Sequence, residues 1–512
     1  MSKDASRATR RTFLRASSAG VAAMAGGLGF LGRLPRVSAQ EAALSPRLVK
    51  FDDSIEPLVR LIEEAPRQRM LEQIADLIHR GRSYREVLAA LLLAGVRNVQ
   101  PRPSVGFKFH AVLVVNSCHL ASLSGPDEDR WLPIFWALDY FKSAQADEAR
   151  TSGWRMQLVN EDLVPDAPRA ATMFAEAMDS WDVDKADAAT AGLVRMAGAT
   201  EIFNQFARYA ARDFRSIGHK AIYLANAWRT LRVIGWQYAE QVMRSLAFAL
   251  LAHTDEPNPS TSDLEADRPW RANEGLVARI PTNWLGGKID DSLPQQLFES
   301  FRDGAPATAA LVATDALAHG IGPQSVWDGV FVGAGELLMR QPGIVALHGL
   351  TTANAMHFLW QHVDDDRLRG RLLLQACSFN SMFRESAQSR GALADRSIDV
   401  LEPATNADGA APAVDEILAD ISADKTRAAK KVCVYLAAGG SAPELVDATR
   451  RMIFLKGRDS HDYKFSSAVL EDYWNVSPAW RDRFLALSVY NLKGSGDRNS
   501  DLVERARAAL RG

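Results

Sequence analysis

"GIVALHGLTTANAMHF", from Gly343 to Phe358, is an apolar, helix-forming stretch with His348, Asn354 and His357 set into it. The same spacing, H-x5-N-x2-H, recurs far upstream in "FKFHAVLVVNSCH", as His110, Asn116 and His119. Aligning the chain on these histidines extends the match outward. "SYREVLAALLLAGVRNV" precedes His110 and "DRWLPIFWALDYFK" follows it. "SVWDGVFVGAGELLMR" and "DRLRGRLLLQACSF" flank His348 in the same way. A further unit runs from "SAPELVDATRRMIFLKG" through His461 to "WRDRFLALSVYNLKG". Arg130, Arg367 and Arg481 follow the three histidines by 20, 19 and 20 residues. A looser unit, "IGHKAIYLANAWRTL", supplies His219, Asn226 and Arg229, with one extra residue before the asparagine.

The four histidines are separated by 109, 129 and 113 residues, so units of that length fill the chain beyond its N-terminus. "VWDGVFVGAGELLMR" and "EQVMRSLAFALLAH" place apolar residues at three- and four-residue intervals, and alternation with a period of two is scarce. Repeated helical units bury their apolar faces against their neighbours. The expectation is one all-α domain over residues 40–512, built of about four quasi-repeats (roughly 48–150, 185–255, 296–400 and 415–510) and closed as a toroid around a central site. Two Pro-, Asp- and Ser-rich stretches, His253 to Gly275 and Glu402 to Glu416, read as loops.

The first 39 residues read as a leader. Arg10 and Arg11 precede Phe13 and Leu14, a weakly apolar Ala/Gly-rich run follows, and "VSA" ends at Ala39. That is the layout of a twin-arginine signal with a small-residue cleavage site. It implies the twin-arginine translocation machinery as a partner, export in the folded state, and a periplasmic or secreted location with no membrane attachment after cleavage. Gly27, Gly29 and Gly32 spell G-x-G-x-x-G, but inside the leader, without the strand and helix a dinucleotide fold requires. No nicotinamide or flavin motif remains. A net charge of −2 leaves no basic face for nucleic acid. Cys118, Cys377 and Cys433 stand far apart in apolar surroundings and read as buried thiols, not as a disulfide framework.

Four histidines at repeat-equivalent positions could point to one place. Neutral imidazole is the commonest protein metal ligand, and nitrogen-rich sites suit Fe, Ni, Cu or Zn. His461 and Lys464 are three residues apart, on one helical face. His110 and His119 are nine apart, half a turn out of phase, and cannot share an ion unless the helix breaks between them; the same holds for His348 and His357. His119, His357 and Arg229 are therefore assigned to support or packing. Asn116, Asn226 and Asn354 are candidates to orient the ligating imidazoles, or to bond between helices. Lys108 and Lys220 are expected at the surface or rim. His362 reads as a helix-end residue, His79, His253 and His319 as structural, and Asp364 to Asp366 as a solvated helix start. Trp131, Trp136, Trp228, Trp236 and Trp360 could line an aromatic pocket or simply fill the core.

At these residues the chain resembles the questin oxidase-like family, through "ALHGLTTANAM" around His348 and "HDYKFSSAVLE" around His461 and Lys464, with weaker support from "FHAVLVVNSCH" and "GHKAIYLANA". Members of that family open the ring of hydroxylated anthraquinones with O2. The resemblance implies a non-haem Fe(II), or another transition metal, held by His110, His219, His348 and His461, with Lys464 as an N-carboxylated ligand. It implies an oxygenase whose partners are O2 and a small aromatic, phenolic or quinone-like substrate. Four neutral imidazoles leave a divalent ion uncompensated, and a carbamate on Lys464 would supply an anionic oxygen. The alternative is an exported, non-enzymatic helical protein that binds a metal, haem or another ligand. A metal-dependent hydrolase is disfavoured, since the histidine motifs offer no Asp or Glu as a ligand.

Overall fold

The His348 stretch lies at the centre of the fold. In the computed structural model it becomes the helix Ile344–His362, and every residue from Val345 to Leu359 is buried. A helix apolar all round has no face to give to water and must be enclosed. The helices Pro323–Arg340, Asp366–Gln388, His219–Ile234 and Ser460–Asp472 all pack against it. The structure describes residues 54–101, 106–251, 256–401 and 411–511. The N-terminal stretch expected to be a leader, and His253, lie outside the described residues.

The fold is all-α. Among the described residues the sole β pairing is an isolated bridge between Lys288 and Ile321. The unit formed by 48–125 and 129–512 shares one continuous apolar core. No helix among the described residues is long and apolar enough to cross a membrane.

Local chemistry sets the helix starts. Ser83 and Glu86 form a reciprocal capping box at the head of Tyr84–Asn98. Asp365 accepts from the Arg367 and Leu368 amides, so the acidic triplet is the exposed helix start its sequence suggests. Asp459 does the same for the amides of His461 and Asp462. Pro323 opens its helix at the first position, where no amide bond is lost.

Each histidine-bearing segment is flanked by a helix on either side. His110 lies between Tyr84–Asn98 and Leu132–Thr151, and His219 between Ala199–Ala210 and Ala239–Leu250. His348 lies between Pro323–Arg340 and Asp366–Gln388, and His461 between Ala442–Lys456 and Arg481–Ser488. The inner helices form a closed cycle of neighbours. Val115–Ser124 packs on His219–Ile234, which packs on Ile344–His362. That helix packs on Ser460–Asp472, which returns to Val115–Ser124. Arg367 and Arg481 fall at the start of the following helices and bind Glu274 and Tyr473, outside this cycle.

Two expected loops need correction. The first ends early, because Arg268–Val277 is a helix with Pro269 in its first turn and Trp270 packed under Arg371. A proline there is as compatible with a helix start as with a loop. The second lies mostly outside the described residues, and its end joins the helix that begins at Val414.

Candidate metal centre

The helix containing His110 breaks after four residues. His110–Leu113 is separated from Val115–Ser124 at Val114. His219 and His461 lie in the first turns of their helices, and His348 one turn into its own. Side chains in a helix lean toward its N-terminus, so the four imidazoles project to the same end of the cycle. Their nitrogens converge. His219 Nε2 lies 3.2 Å from His110 Nε2 and 3.0 Å from His348 Nε2. Ligand nitrogens of His110, His348 and His461 lie within 4.8 Å of one another.

The tautomers follow from the outer nitrogens. His219 Nδ1 lies 2.7 Å from the Ser216 carbonyl and His348 Nδ1 lies 2.6 Å from the Ile344 carbonyl. A carbonyl only accepts, so each ring carries its proton on Nδ1 and presents a lone pair at Nε2. Two lone pairs therefore face each other at 3.0 Å. Only a cation between them, a proton or a metal ion, makes that contact attractive. Burial holds both imidazoles well below their usual pKa, and the charges of Lys464 and the neighbouring histidines act in the same direction. A metal ion would satisfy both lone pairs at once. Two nitrogens about 2.1 Å from one ion lie about 3.0 Å apart at a right angle and about 3.4 Å at the tetrahedral angle. The observed spacings of 3.0 and 3.2 Å are those of neighbouring nitrogen ligands on one ion.

Two further groups are left without partners. His461 Nε2 and Lys464 Nζ are buried with no hydrogen bond, while His461 Nδ1 lies 3.5 Å from Asp459 Oδ1. Lys464 is 2 % exposed. Burial lowers its amine to about 7, with the charge of Asp459 opposing. A large fraction is thus neutral near pH 7, the form that can ligate a metal or take up CO2.

The asparagines do something other than orient the imidazoles. For His219 and His348 that task falls to carbonyls three and four residues back. Asn116, Asn226 and Asn354 lie six or seven residues on, about 9–10 Å along a helix at 1.5 Å per residue, and cannot reach the rings. They line a narrow cleft that ends on Lys464. Ser467 completes the set, since it follows His461 by six residues, the offset of Asn116 and Asn354. That offset was available in the sequence. Arg229 lies in the same cleft, donating to Glu471 at 2.8 Å and to Asn354 Oδ1 at 3.1 Å. It also lies over the Phe358 ring at 4.2 Å.

His119 and His357 are held elsewhere. His119 Nδ1 pairs with the Tyr84 hydroxyl at 3.0 Å, and His357 is boxed by Trp327, Phe331 and Trp360. The tryptophans are packing groups. Trp136 stacks on Tyr140 and Tyr463, Trp228 meets Phe203 and Trp236, Trp131 meets Tyr84, and none lines the cleft. His362 ends its helix, and His79 and His319 lie at helix ends away from the centre. The three cysteines are buried and free.

Lys220 is not at the rim. It is 1 % exposed and donates to Asp213 Oδ2 at 2.6 Å. Lys108 is largely covered and pairs with Glu148 at 2.8 Å. An offset of one or two residues turns a side chain off the histidine face, but not toward water when a second layer of protein covers that side.

Two glycines that motif reading passed over shape the site. Gly218, at φ +79°, caps the His219 helix, and a Cβ there would lie 2.0 Å from Thr352 Oγ1. Gly106, at φ +150°, abuts the rings of His110 and His219. Gly218→Ala is expected to cost about 2 kcal/mol or more, through the left-handed backbone and the overpacking against Thr352. It should also separate His219 from His348 and weaken divalent-metal binding. Equilibrium denaturation and metal titration of the variant check both, and wild-type values in either would contradict this role.

The buried neutral imidazoles also predict acid sensitivity. Burial lowers His119 to about 4 and His357 to about 3, with Arg229 adding to the effect at His357. Below their unfolded value near 6.5 the unfolded chain binds more protons, so their contribution is complete above pH 6.5 and is lost toward pH 4 and 3. Each is expected to remove on the order of 3 kcal/mol by the end of its window. Urea midpoints at pH 7, 5.5 and 4.5 should fall in that order, and a flat profile would refute the assignment.

Asp472 behaves oppositely. Oδ1 accepts from Asn354 and Asn475, Oδ2 has no partner, and burial together with Glu471 holds the carboxyl well above its usual range. The folded state keeps a proton that the unfolded chain loses above about pH 4, so stability falls as pH rises. Asp472→Asn should therefore gain on wild type by about 1 kcal/mol or more between pH 4 and 8. Equal pH profiles of the two proteins would rule this out.

No protein-family model matches the chain, and no curated protein matches it in sequence.

Proposed function

We propose that this chain is a metal-dependent oxidoreductase similar to the questin oxidase-like proteins. It would hold a non-haem iron, or another six-coordinate transition metal, on His110, His219, His348, His461 and Lys464, and act with O2 on a small phenolic or quinone-like molecule. The observation that carries the reading is the pair of Nε2 lone pairs, on His219 and His348, facing each other at 3.0 Å with their Nδ1 protons committed to backbone carbonyls. The unpartnered His461 Nε2 and Lys464 Nζ complete a donor set of nitrogens with no fixed anion. A bound iron would supply Lewis acidity and one-electron chemistry toward O2. The chain supplies the rest. Carbonyl oxygens fix the rings of His219 and His348. Burial keeps these two imidazoles neutral, and Lys464 can offer an amine or, once carboxylated, an anionic oxygen. Arg229 and the amide-lined cleft provide polar groups for the oxygen substituents of a substrate. Loading the metal before folded export fits the twin-arginine leader.

The test is metal analysis of protein purified without chelator, with O2 uptake measured on hydroquinones and catechols. Near-stoichiometric iron that is lost in both Lys464→Ala and His348→Ala, with O2 consumption in wild type alone, is the expected result. Protein without a bound transition metal would overturn it. One observation favours a second reading, a metal-binding protein without aromatic turnover. The cleft on Lys464 has about 10 Å³ of free space, the room of one water, and no aromatic lining. Stoichiometric metal without O2 uptake on any phenol would select that reading.

A further inference from the structure

The four helices carry a second polar layer beneath the histidines. Asn116, Asn226, Asn354 and Ser467 hold repeat-equivalent places and face one cleft, with Lys464 between the two layers. The lining is rich in donors, with Glu471 its one carboxylate. That carboxylate sits in a ready-made cradle. Oε2 accepts from Arg229 Nη2 at 2.8 Å and from Asn354 Nδ2 at 2.8 Å. Arg229 is itself fixed, by Asn354 Oδ1 at 3.1 Å, by Asn226 Oδ1 at 3.4 Å and by the face of Phe358. The two partners differ in freedom. The Arg229 side chain is 13 % exposed, whereas that of Glu471, near the end of its helix, is 37 % exposed and can swing to solvent. At the other end of the cleft the buried Lys464 amine has no partner.

We propose that Arg229 and Asn354 form a subsite for the carboxylate of a small ligand, with Glu471 as an internal occupant that the ligand displaces. One oxygen of a ligand carboxylate can accept from a guanidinium N–H and an amide N–H together, as Glu471 Oε2 already does. Two sources share this chemistry: an organic acid bound as substrate, and bicarbonate, which is also the reservoir of CO2 for a carbamate on Lys464. The inference rests on the proposed metal centre for its catalytic meaning, not for the binding itself.

The test is titration calorimetry at pH 7.5 on the full chain, metal-free and metal-loaded, with sodium acetate, which matches the carboxylate that Glu471 would vacate, and separately with sodium bicarbonate. Wild type should bind at least one of them in the metal-free state. Arg229→Gln should weaken that binding at least about tenfold, and Glu471→Gln should tighten it by about tenfold. Acetate binding marks an organic-acid site, and bicarbonate binding alone marks a carboxylation site. Absence of binding of both anions in wild type and Glu471→Gln would overturn the proposal, as would equal affinity in all three proteins. Glu471→Gln changes a half-exposed residue and decides the matter even where Arg229→Gln fails to fold. Binding that depends on Arg229 in protein unable to hold a metal would uphold this subsite while refuting the metal centre.

Discussion

Adding a divalent transition metal to the metal-free protein should raise its stability by about 4 kcal/mol at a thousandfold excess over the dissociation constant, and His348→Ala should gain none of it. The effect is large because the site is preformed. His219 and His348 present lone pairs to each other at 3.0 Å, and His110 Nε2 stands 3.2 Å from that of His219. Without a cation the His219–His348 contact is repulsive, and the buried, partnerless His461 Nε2 and Lys464 amine add to the energy of the folded state. An ion removes that cost and adds its own bonds. Loss of a supporting group around a metal already costs ten- to a hundredfold in affinity, so loss of a ligand should exceed about a hundredfold. In the metal-free state His348→Ala should lose less stability than its size suggests, since it also removes a repulsion. Thermal melts with and without Fe(II) or Co(II) read both effects. The proton alternative predicts the reverse pattern, with no gain from metal and a gain from acid. That pattern would end the metal reading.

The second large effect is expected at Asp213. Asp213→Ala should destabilise the protein by about 3–5 kcal/mol, because it strands the Lys220 ammonium in a fully buried place. The pair belongs to a turn that carries unusual strain. Ile217 sits at φ +41°, rare for a β-branched residue, and Gly218 follows at φ +79°. Arg215 is bound to Asp267 at 2.5 Å, both nearly inaccessible. Lys220, Arg212 and Arg215 hold the Asp213 carboxyl below its usual range, despite burial, which alone would raise it. These pairs fix the turn whose Ser216 carbonyl orients His219. Backbone strain of this kind persists where the surroundings over-determine it, often beside a site. The double variant Asp213→Ala/Lys220→Met should recover much of the loss, since neither charge then lacks a partner. Urea denaturation of the single and double variants provides the check. A single variant within about 1 kcal/mol of wild type would show that the turn needs no such support.

Much of the centre was legible because a repeat converts a weak signal into a joint one. A single histidine on an apolar helix says little. Four histidines in register say that equivalent turns of equivalent helices share an environment, and the structure brings those four together. The spacing of His461 and Lys464 likewise placed both on one face by helix geometry alone. The asparagines show where such reasoning fails. Sequence spacing related them to the histidines, but distance along the axis removed them from the rings. Carbonyls of Ser216 and Ile344 took the orienting role instead, and backbone atoms leave no mark in a motif. Lys220 shows a second kind of failure. Its neighbour Asp213, seven residues away across a strained turn, is an ordinary aspartate in sequence, and only the burial of both gives the pair meaning.

The sequence by itself determined the helical class, the helix start at Asp364 to Asp366 and, through a recurring spacing, the identity of the four histidines that meet. All of these depend on interactions within a few residues or on a pattern repeated along the chain. Tertiary structure decided which nitrogens face which, that Asn116, Asn226, Asn354 and Ser467 build a second layer, and that Arg229 from one repeat meets Glu471 from another at 2.8 Å. Those contacts join residues more than a hundred positions apart. Their distances follow from how closely whole helices approach, and that is set by packing groups such as Gly218 against Thr352, which no local pattern encodes.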